Sequence, residues 1–276
     1  MIHPKKRLGQ HFLRDENIAQ KIVGYLNPEY PLVLEIGPGM GSLTKYILSI
    51  PSLDPWFMEV DHESADYLKA TFPAIANRII IADFLKYDLG NFPSTSAISN
   101  TTGETMPSPP KFTIIGNFPY NISSQILFKA LENRDRIPEV IGMFQKEVAE
   151  RIASPPGNKK YGIISVLLQA FYDIEYLFTV NETVFYPPPK VKSAVIRLRR
   201  NKTEKLDCDE ALFIRVVKTA FNQRRKTLRN ALRTLTGSGD LKASPVYDLR
   251  AEQLGVEDFV LLVKEISTFA QIFKGG

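Results

Sequence analysis

The sequence predicts an α/β protein, a mostly parallel sheet covered by helices on both faces, followed by a smaller all-helical domain. Three observations predict it. Short apolar runs rich in β-branched residues alternate with helical periodicity, the signature of βαβ units. The runs are continuously apolar, as strands covered on both faces are. Beyond Arg200 the strand pattern stops and only helical periodicity remains, so the boundary falls between domains 1–200 and 201–276.

Taken in order, residues 4–13 form a basic, glycine-containing segment expected to be irregular. Asp15 or Asn17 can cap a helix that carries Ile18, Ile22, Val23 and Leu26 on one face. Strands are predicted over 32–36, 56–60, 78–82, 114–115, 140–144, 174–180 and 193–198. Helices are predicted over 42–48, 64–70, 123–131, 146–153 and 163–172, with surface loops over 91–111 and 155–160.

At 276 residues, with 44% hydrophobic and 24% charged residues, the chain is an ordinary globular one. The net charge of +5 permits a polyanionic partner. One cysteine, Cys208, excludes an intrachain disulfide and a thiolate cluster, and His3, His11 and His62 are too scattered for a structural zinc, so no metal is expected. There is no apolar run of membrane length and no apolar signal core, which points to a cytoplasmic protein without a membrane partner.

The chemistry gathers at the predicted strand ends. Gly37, Gly39 and Gly41 follow the first strand, and Ser42 stands where a dinucleotide fingerprint needs its third glycine, which disfavours a nicotinamide or flavin pyrophosphate. Glu59 ends the second strand, where a carboxylate can accept both ribose hydroxyls; Asp61 is its rival. Asp83 ends the third strand and can accept an adenine amino group, and Asn117 ends the fourth. A lone strand-terminal carboxylate is usually a helix cap or a solvated charge. Four polar residues in register mark a ligand cleft, and a ribose with an adenine but no phosphate suggests S-adenosylmethionine. In the turn Gly116-Asn117-Phe118-Pro119-Tyr120, the Asn117 oxygen and a backbone carbonyl can accept both N–H bonds of an aromatic amine, and Tyr120 can stack on the base.

These residues, together with the segments 6–13, 35–39, 116–123, 145–149, 185–191 and 221–230, resemble the ribosomal RNA small-subunit (16S rRNA) adenine N6,N6-dimethyltransferases nearly end to end. The resemblance implies a class I S-adenosylmethionine-dependent methyltransferase domain, Rossmann-like, with seven strands of which the last is antiparallel, and a small C-terminal helical RNA-binding domain. It implies methyl transfer from S-adenosylmethionine to N6 of two adjacent adenosines in the 3′-terminal hairpin loop of 16S rRNA. The partner would be small-subunit rRNA or the assembling small subunit, acted on by a monomer during ribosome biogenesis. By resemblance, His11, Leu13, Gly37, Glu59, Asp83 and Asn117 contact the cofactor; Asn117, Pro119 and Tyr120 are catalytic; Phe185 covers the other face of the target adenine. Phe118 stands where the family more often has leucine, and the 91–111 loop is longer than usual.

From Arg215 to Arg233 there are seven basic residues and no acidic one. A solvated face is the ordinary explanation, but a run so one-sided suits phosphates. Arg225, Arg229 and Arg233, four apart, would share one helix face. Lys6, Arg7, Arg224, Arg225 and Arg229 are the expected RNA contacts. Rival readings are the related 23S rRNA adenine methyltransferase, a DNA adenine or protein glutamine methyltransferase, a non-catalytic binding protein of the same fold, and a dinucleotide oxidoreductase.

Overall fold

The computed structural model describes residues 4–93, 109–236 and 244–272, so most of the predicted 91–111 loop lies outside the described residues. The chain divides into two compact units, Met1–Ala149 with Glu175–Arg200, and Glu150–Ile174 with Asn201–Gly276. The division is thus not a single point at residue 200: a segment inside the predicted first domain groups with the C-terminal helices.

The first unit runs β1 (Phe12–Leu13), α1 (Glu16–Val23), β2 (Leu32–Ile36), α2 (Thr44–Ile47), β3 (Asp54–Glu59), α3 (His62–Thr71), β4 (Ile79–Ile81), β5 (Thr113–Asn117), α4 (Ser123–Glu132) and β6 (Glu139–Gln145), and α5 (Lys146–Ala153) starts in the first unit and ends in the second. After α6 (Ile163–Gln169) of the second unit come β7 (Tyr172–Val180), β8 (Phe185–Tyr186) and β9 (Ser193–Arg200). Seven strands form one sheet in the order β4-β3-β2-β5-β6-β9-β7. The pairs β4–β3, β3–β2, β2–β5 and β5–β6 are parallel, and β9 lies antiparallel to β6.

Burial on both faces explains the apolar runs. Val33, Ile115, Ile141 and Val195 share one cluster with Ala19, Ile22 and Val23 of α1. Their strand neighbours Leu34, Ile114, Val140 and Ile196, which point the opposite way, are equally buried. Asp15 caps α1 by accepting from the Ile18 N–H at 3.0 Å. The strand order reverses at β2, whose neighbours are β3 on one side and β5 on the other; a crevice at the carboxyl ends of such strands is where α/β sheets take ligands.

The segment predicted to be irregular contains a strand. β1 pairs antiparallel with β8, Phe12 opposite Tyr186 and Leu13 opposite Phe185. Two residues are too few to show a period, and their partner is distant in the chain. One core detail bears on the site. A Cβ on Gly142 of β6 would lie 2.2 Å from the Phe118 ring, and one on Gly116 2.7 Å from it, so two side-chain-free positions make room for that phenylalanine. Phe118 then meets Phe144 edge-on at 5.3 Å.

In the second unit α7 (Glu210–Asn222), α8 (Leu228–Ala231), α9 (Arg233–Thr236) and α10 (Val256–Ile272) pack with α6 and one another around Phe213, Phe221, Phe259 and Tyr161. The basic stretch is not one helix. α7 ends at Asn222 and Thr227 is extended, so Arg225, Arg229 and Arg233 do not share a helix face as predicted. Breaking the rod relieves the like-charge spacing that a continuous helix would impose.

Candidate active site

A cavity at the tips of β2, β3, β4 and β5 brings together His11, Leu13, Gly37, Glu59, Asp83, Asn117, Pro119 and Tyr120, all residues singled out from the sequence. Three turns build it. After β2 the backbone enters the left-handed region at Gly37 (φ 66°) and Gly39 (φ 56°), and a Cβ on Gly39 would press against the Phe12 ring at 3.0 Å. Glu59, at the end of β3, is 3% exposed and accepts hydrogen bonds from the Gly39 N–H at 3.0 Å and the Asp61 N–H at 2.9 Å. Burial pushes its carboxyl above the ordinary range, while those two backbone donors favour the charged form. Each of its oxygens keeps a lone pair for a further donor such as a ribose hydroxyl.

Asp61, the rival for that role, is already committed. It takes the Lys5 ammonium at 2.5 Å on one oxygen and the Ser64 hydroxyl at 3.0 Å on the other, and it does not line the cavity. Burial raises its pKa, and the bonds to Lys5 and Ser64 outweigh that, leaving it below its usual value. Asp83 accepts from the Leu85 N–H at 2.9 Å, with Lys86 3.9 Å from its second oxygen. The loop that carries Asp83 is held from beneath by the Lys129 ammonium of α4, which donates to the carbonyls of Phe84 (2.7 Å), Leu85 (3.1 Å) and Tyr87 (2.5 Å).

Asn117 donates its Nδ2 to the His11 carbonyl at 2.8 Å, which leaves Oδ1 as the acceptor available to a ligand. His11 in turn donates Nδ1 to the Pro187 carbonyl at 2.8 Å, and its ring stacks on Tyr120 at 5.5 Å. The segment 5–13 therefore lies over the cavity as a strap, tied at Lys5, at His11 and at the Ser42 hydroxyl, which donates to the Leu13 carbonyl at 2.6 Å. Ser42, which breaks the dinucleotide fingerprint, has a job of its own.

One expected contact does not line the cavity. Phe185 is 3% exposed in the core cluster beside Leu13 and does not line the cavity; its neighbour Tyr186 is the exposed ring, at 44%. β-strand alternation turns one of the pair inward, and the sequence does not say which. The Lys6 side chain lies outside the described residues, and Arg7 is exposed. In the second unit Arg224 is tied to Glu252 (3.7 Å) and to the Lys159 carbonyl (2.5 Å), and Arg229 to Asp248 (3.2 Å). Arg215, Lys218, Arg225, Lys226 and Arg233 are exposed and form no ion pair among the described residues.

Several lining residues escaped sequence reasoning. Gln10, Val60, Phe84 and Ile122 line the cavity. Val60 is 47% exposed, an apolar wall beside the carboxylates; its position next to Glu59 was the available signal. Glu35 also lines it, 2% exposed, with the Thr44 hydroxyl donating at 2.7 Å, and burial lifts its carboxyl to about 8, so it stays protonated at neutral pH.

Among the described residues the lining contains Glu35, Glu59 and Asp83 but no lysine or arginine. A pyrophosphate would find no cation there, whereas a ribose, an adenine amino group and a positively charged centre would each find acceptors. That donor set fits S-adenosylmethionine, a nucleoside without phosphate that carries a sulfonium. Sheet order, antiparallel β9 and an acidic cleft at the point where strand order reverses together define a Rossmann-like class I methyltransferase.

Comparison with known proteins narrows the class. Residues 1–268 match the family described as ribosomal RNA adenine dimethylase, and the chain belongs to that family. It is 55% identical over 268 residues to the ribosomal RNA small subunit methyltransferase A of Cytophaga hutchinsonii, covering 96% of this chain and 98% of that one. The protein of the same name from Flavobacterium johnsoniae is 54% identical over 266 residues, covering 96% of each. Among solved structures, a dimethyladenosine transferase from Plasmodium falciparum shares the fold with a TM-score of 0.70 at 22% identity, over 94% of this chain and 98% of that one. The 23S rRNA methyltransferase ErmE gives 0.61 at 26% identity, over 92% and 99%.

Proposed function

We propose that this protein transfers methyl groups from S-adenosylmethionine to N6 of two adjacent adenosines in the 3′-terminal hairpin loop of small-subunit rRNA, giving N6,N6-dimethyladenosine. The observation that carries the reading is the Asn117 amide, locked by the His11 carbonyl with its oxygen free, in the same cavity as Glu59 and Asp83. The relatives named as small-subunit methyltransferases, at 54–55% identity, favour the small-subunit enzyme over its 23S counterpart, at 26%.

Bound S-adenosylmethionine supplies an electrophilic methyl group on sulfur. The chain supplies position and acceptors. Glu59 takes the ribose hydroxyls and Asp83 the adenine amino group of the donor, with Val60 and Phe84 as apolar walls for its base. Adenine N6 is a poor nucleophile because its lone pair is delocalised into the ring. Asn117 Oδ1 and a carbonyl of the same turn accept its two N–H bonds and rotate the lone pair out of plane. The Pro119 and Tyr120 carbonyls of the turn accept from the Ile122 N–H and the Ser123 hydroxyl, which fixes the course of the backbone beside Asn117. Tyr120 stacks on the target base. N6 becomes acidic only as it bonds to carbon, so its proton leaves to water and no strong base is required. The adenosine must be unpaired to enter, as in an RNA loop. Exposed cations of the second unit, with Lys6 and Arg7 of the strap, hold the phosphates, and Arg224 and Arg229 contribute less because acidic partners already engage them.

Incubating the protein with labelled S-adenosylmethionine and undermethylated small subunits, then mapping the modified base, tests this. Label on two neighbouring adenosines of the 3′-terminal hairpin supports it; cofactor binding without transfer to any rRNA revives the non-catalytic reading.

A further inference from the structure

The ring that meets the target base needs a fixed plane, and the structure supplies one from a residue outside the Asn117 turn. The Tyr120 hydroxyl lies 2.5 Å from the hydroxyl of Ser193, the first residue of β9, which is fully buried. Ser193 sits opposite Gln145 in the β6–β9 ladder, so its position is set by the sheet. His11 covers one face of the Tyr120 ring at an interplanar angle of 28°, and its own ring is held by the Pro187 carbonyl. The tyrosine is thus held at its tip and on one face, with its side chain in the wall of the cavity.

We propose that Ser193 is a positioning residue for methyl transfer: it fixes the plane of Tyr120 by binding the phenolic hydroxyl, so that the ring's work is stacking and its hydroxyl performs no chemistry on the substrate. This rests on the functional reading above. A tyrosine on a loop turn has two free torsions, and a base stacked on a wandering ring presents N6 out of line with the donor. Displacements near 1 Å cost on the order of 100-fold in rate. Anchoring the tip to a buried strand residue removes that freedom before substrate arrives. Burial raises the Tyr120 pKa, with the Ser193 bond acting the other way, so the phenol stays neutral at physiological pH, consistent with a structural use of its hydroxyl.

The test is a double-mutant cycle in the full chain with Ser193→Ala, Tyr120→Phe and the pair combined. Three quantities are read: single-turnover methylation of undermethylated small subunits, donor affinity by calorimetry, and melting temperature. Each single variant removes the same bond from one side. Each is expected to lower the transfer rate about ten-fold while leaving donor affinity within two-fold, and the double variant is expected to be no slower than either. Three results of the cycle overturn the proposal: an unimpaired Ser193→Ala, losses that multiply in the double variant, or a Tyr120→Phe far slower than Ser193→Ala, which would give the hydroxyl a direct role. Should Ser193→Ala fail to fold, Tyr120→Phe still breaks the bond. Independently of turnover, the Tyr120 hydroxyl proton is expected to exchange slowly in the wild-type protein and rapidly in Ser193→Ala. A wild-type protein inactive on every rRNA would sink the functional reading; equal exchange in both proteins would sink this one.

Discussion

Replacing Gly142 with alanine would put a methyl carbon where the Phe118 ring now lies. The new Cβ would stand 2.2 Å from one edge carbon of Phe118 and 2.7 Å from the ring of Phe144, both far inside van der Waals contact. Neither ring has solvent to swing into, since Phe118 is 1% exposed and Phe144 fully buried. Overpacking of this kind costs about 1–3 kcal/mol. For a protein of this size that is a melting temperature lower by roughly 2–4 °C per kcal/mol. A second consequence is functional: Phe118 lies between Asn117 and Pro119, so a displaced ring moves the acceptor pair, and transfer should fall by about 10–100-fold. The companion Phe118→Leu removes the clashing ring edge, so Gly142→Ala combined with Phe118→Leu should melt higher than Gly142→Ala alone and recover part of the activity. Thermal melts and single-turnover methyl transfer on the four proteins decide it. A Gly142→Ala protein that melts like wild type, or a double variant no better than the single, would refute the packing argument.

Asn117→Ala removes the acceptor together with one tie of the strap, whose bonds at Asp61, Pro187 and Ser42 remain, and turnover is expected to drop about 100- to 1000-fold with RNA affinity retained; retained single-turnover transfer would take Asn117 out of its role. Glu35 releases its proton near pH 4.5 in the unfolded chain and near 8 in the folded one. The folded state therefore carries the extra proton across that window, and stability falls as pH rises through it. Glu35→Gln keeps an acceptor for Thr44 and should flatten that part of the melting-temperature profile; an unchanged slope would show that Glu35 is not the group responsible. Arg225→Ala should shallow the dependence of RNA affinity on salt by about one unit of slope, and adding Arg229→Ala should contribute less, because Asp248 already holds that guanidinium. An unchanged slope in the double variant would remove both from the interface.

Much of the cleft was legible without coordinates because strand ends in a parallel sheet converge. Once the runs at 32–36, 54–59, 79–81 and 113–117 are strands, Gly37, Glu59, Asp83 and Asn117 necessarily emerge at one edge. What followed from a local pattern was readable: the buried strands, a helix cap at Asp15 or Asn17, the glycine turn. Which of Glu59 and Asp61 lines the cavity was not, because Asp61 is held by Lys5, a residue far off in the chain.

The same division runs through the whole molecule. Residue order alone determined the α/β class, the acidic strand tips and the Asn-x-Pro-Tyr turn, since periodicity and turn chemistry act over a few residues. Tertiary structure decided whatever depends on a distant partner: that 150–174 groups with the C-terminal helices, that the basic run breaks after Asn222, that Phe185 turns inward while Tyr186 faces out, and that Ser193 meets Tyr120. A side chain's partners across the fold leave no period in the sequence around it, and packing of whole elements sets them.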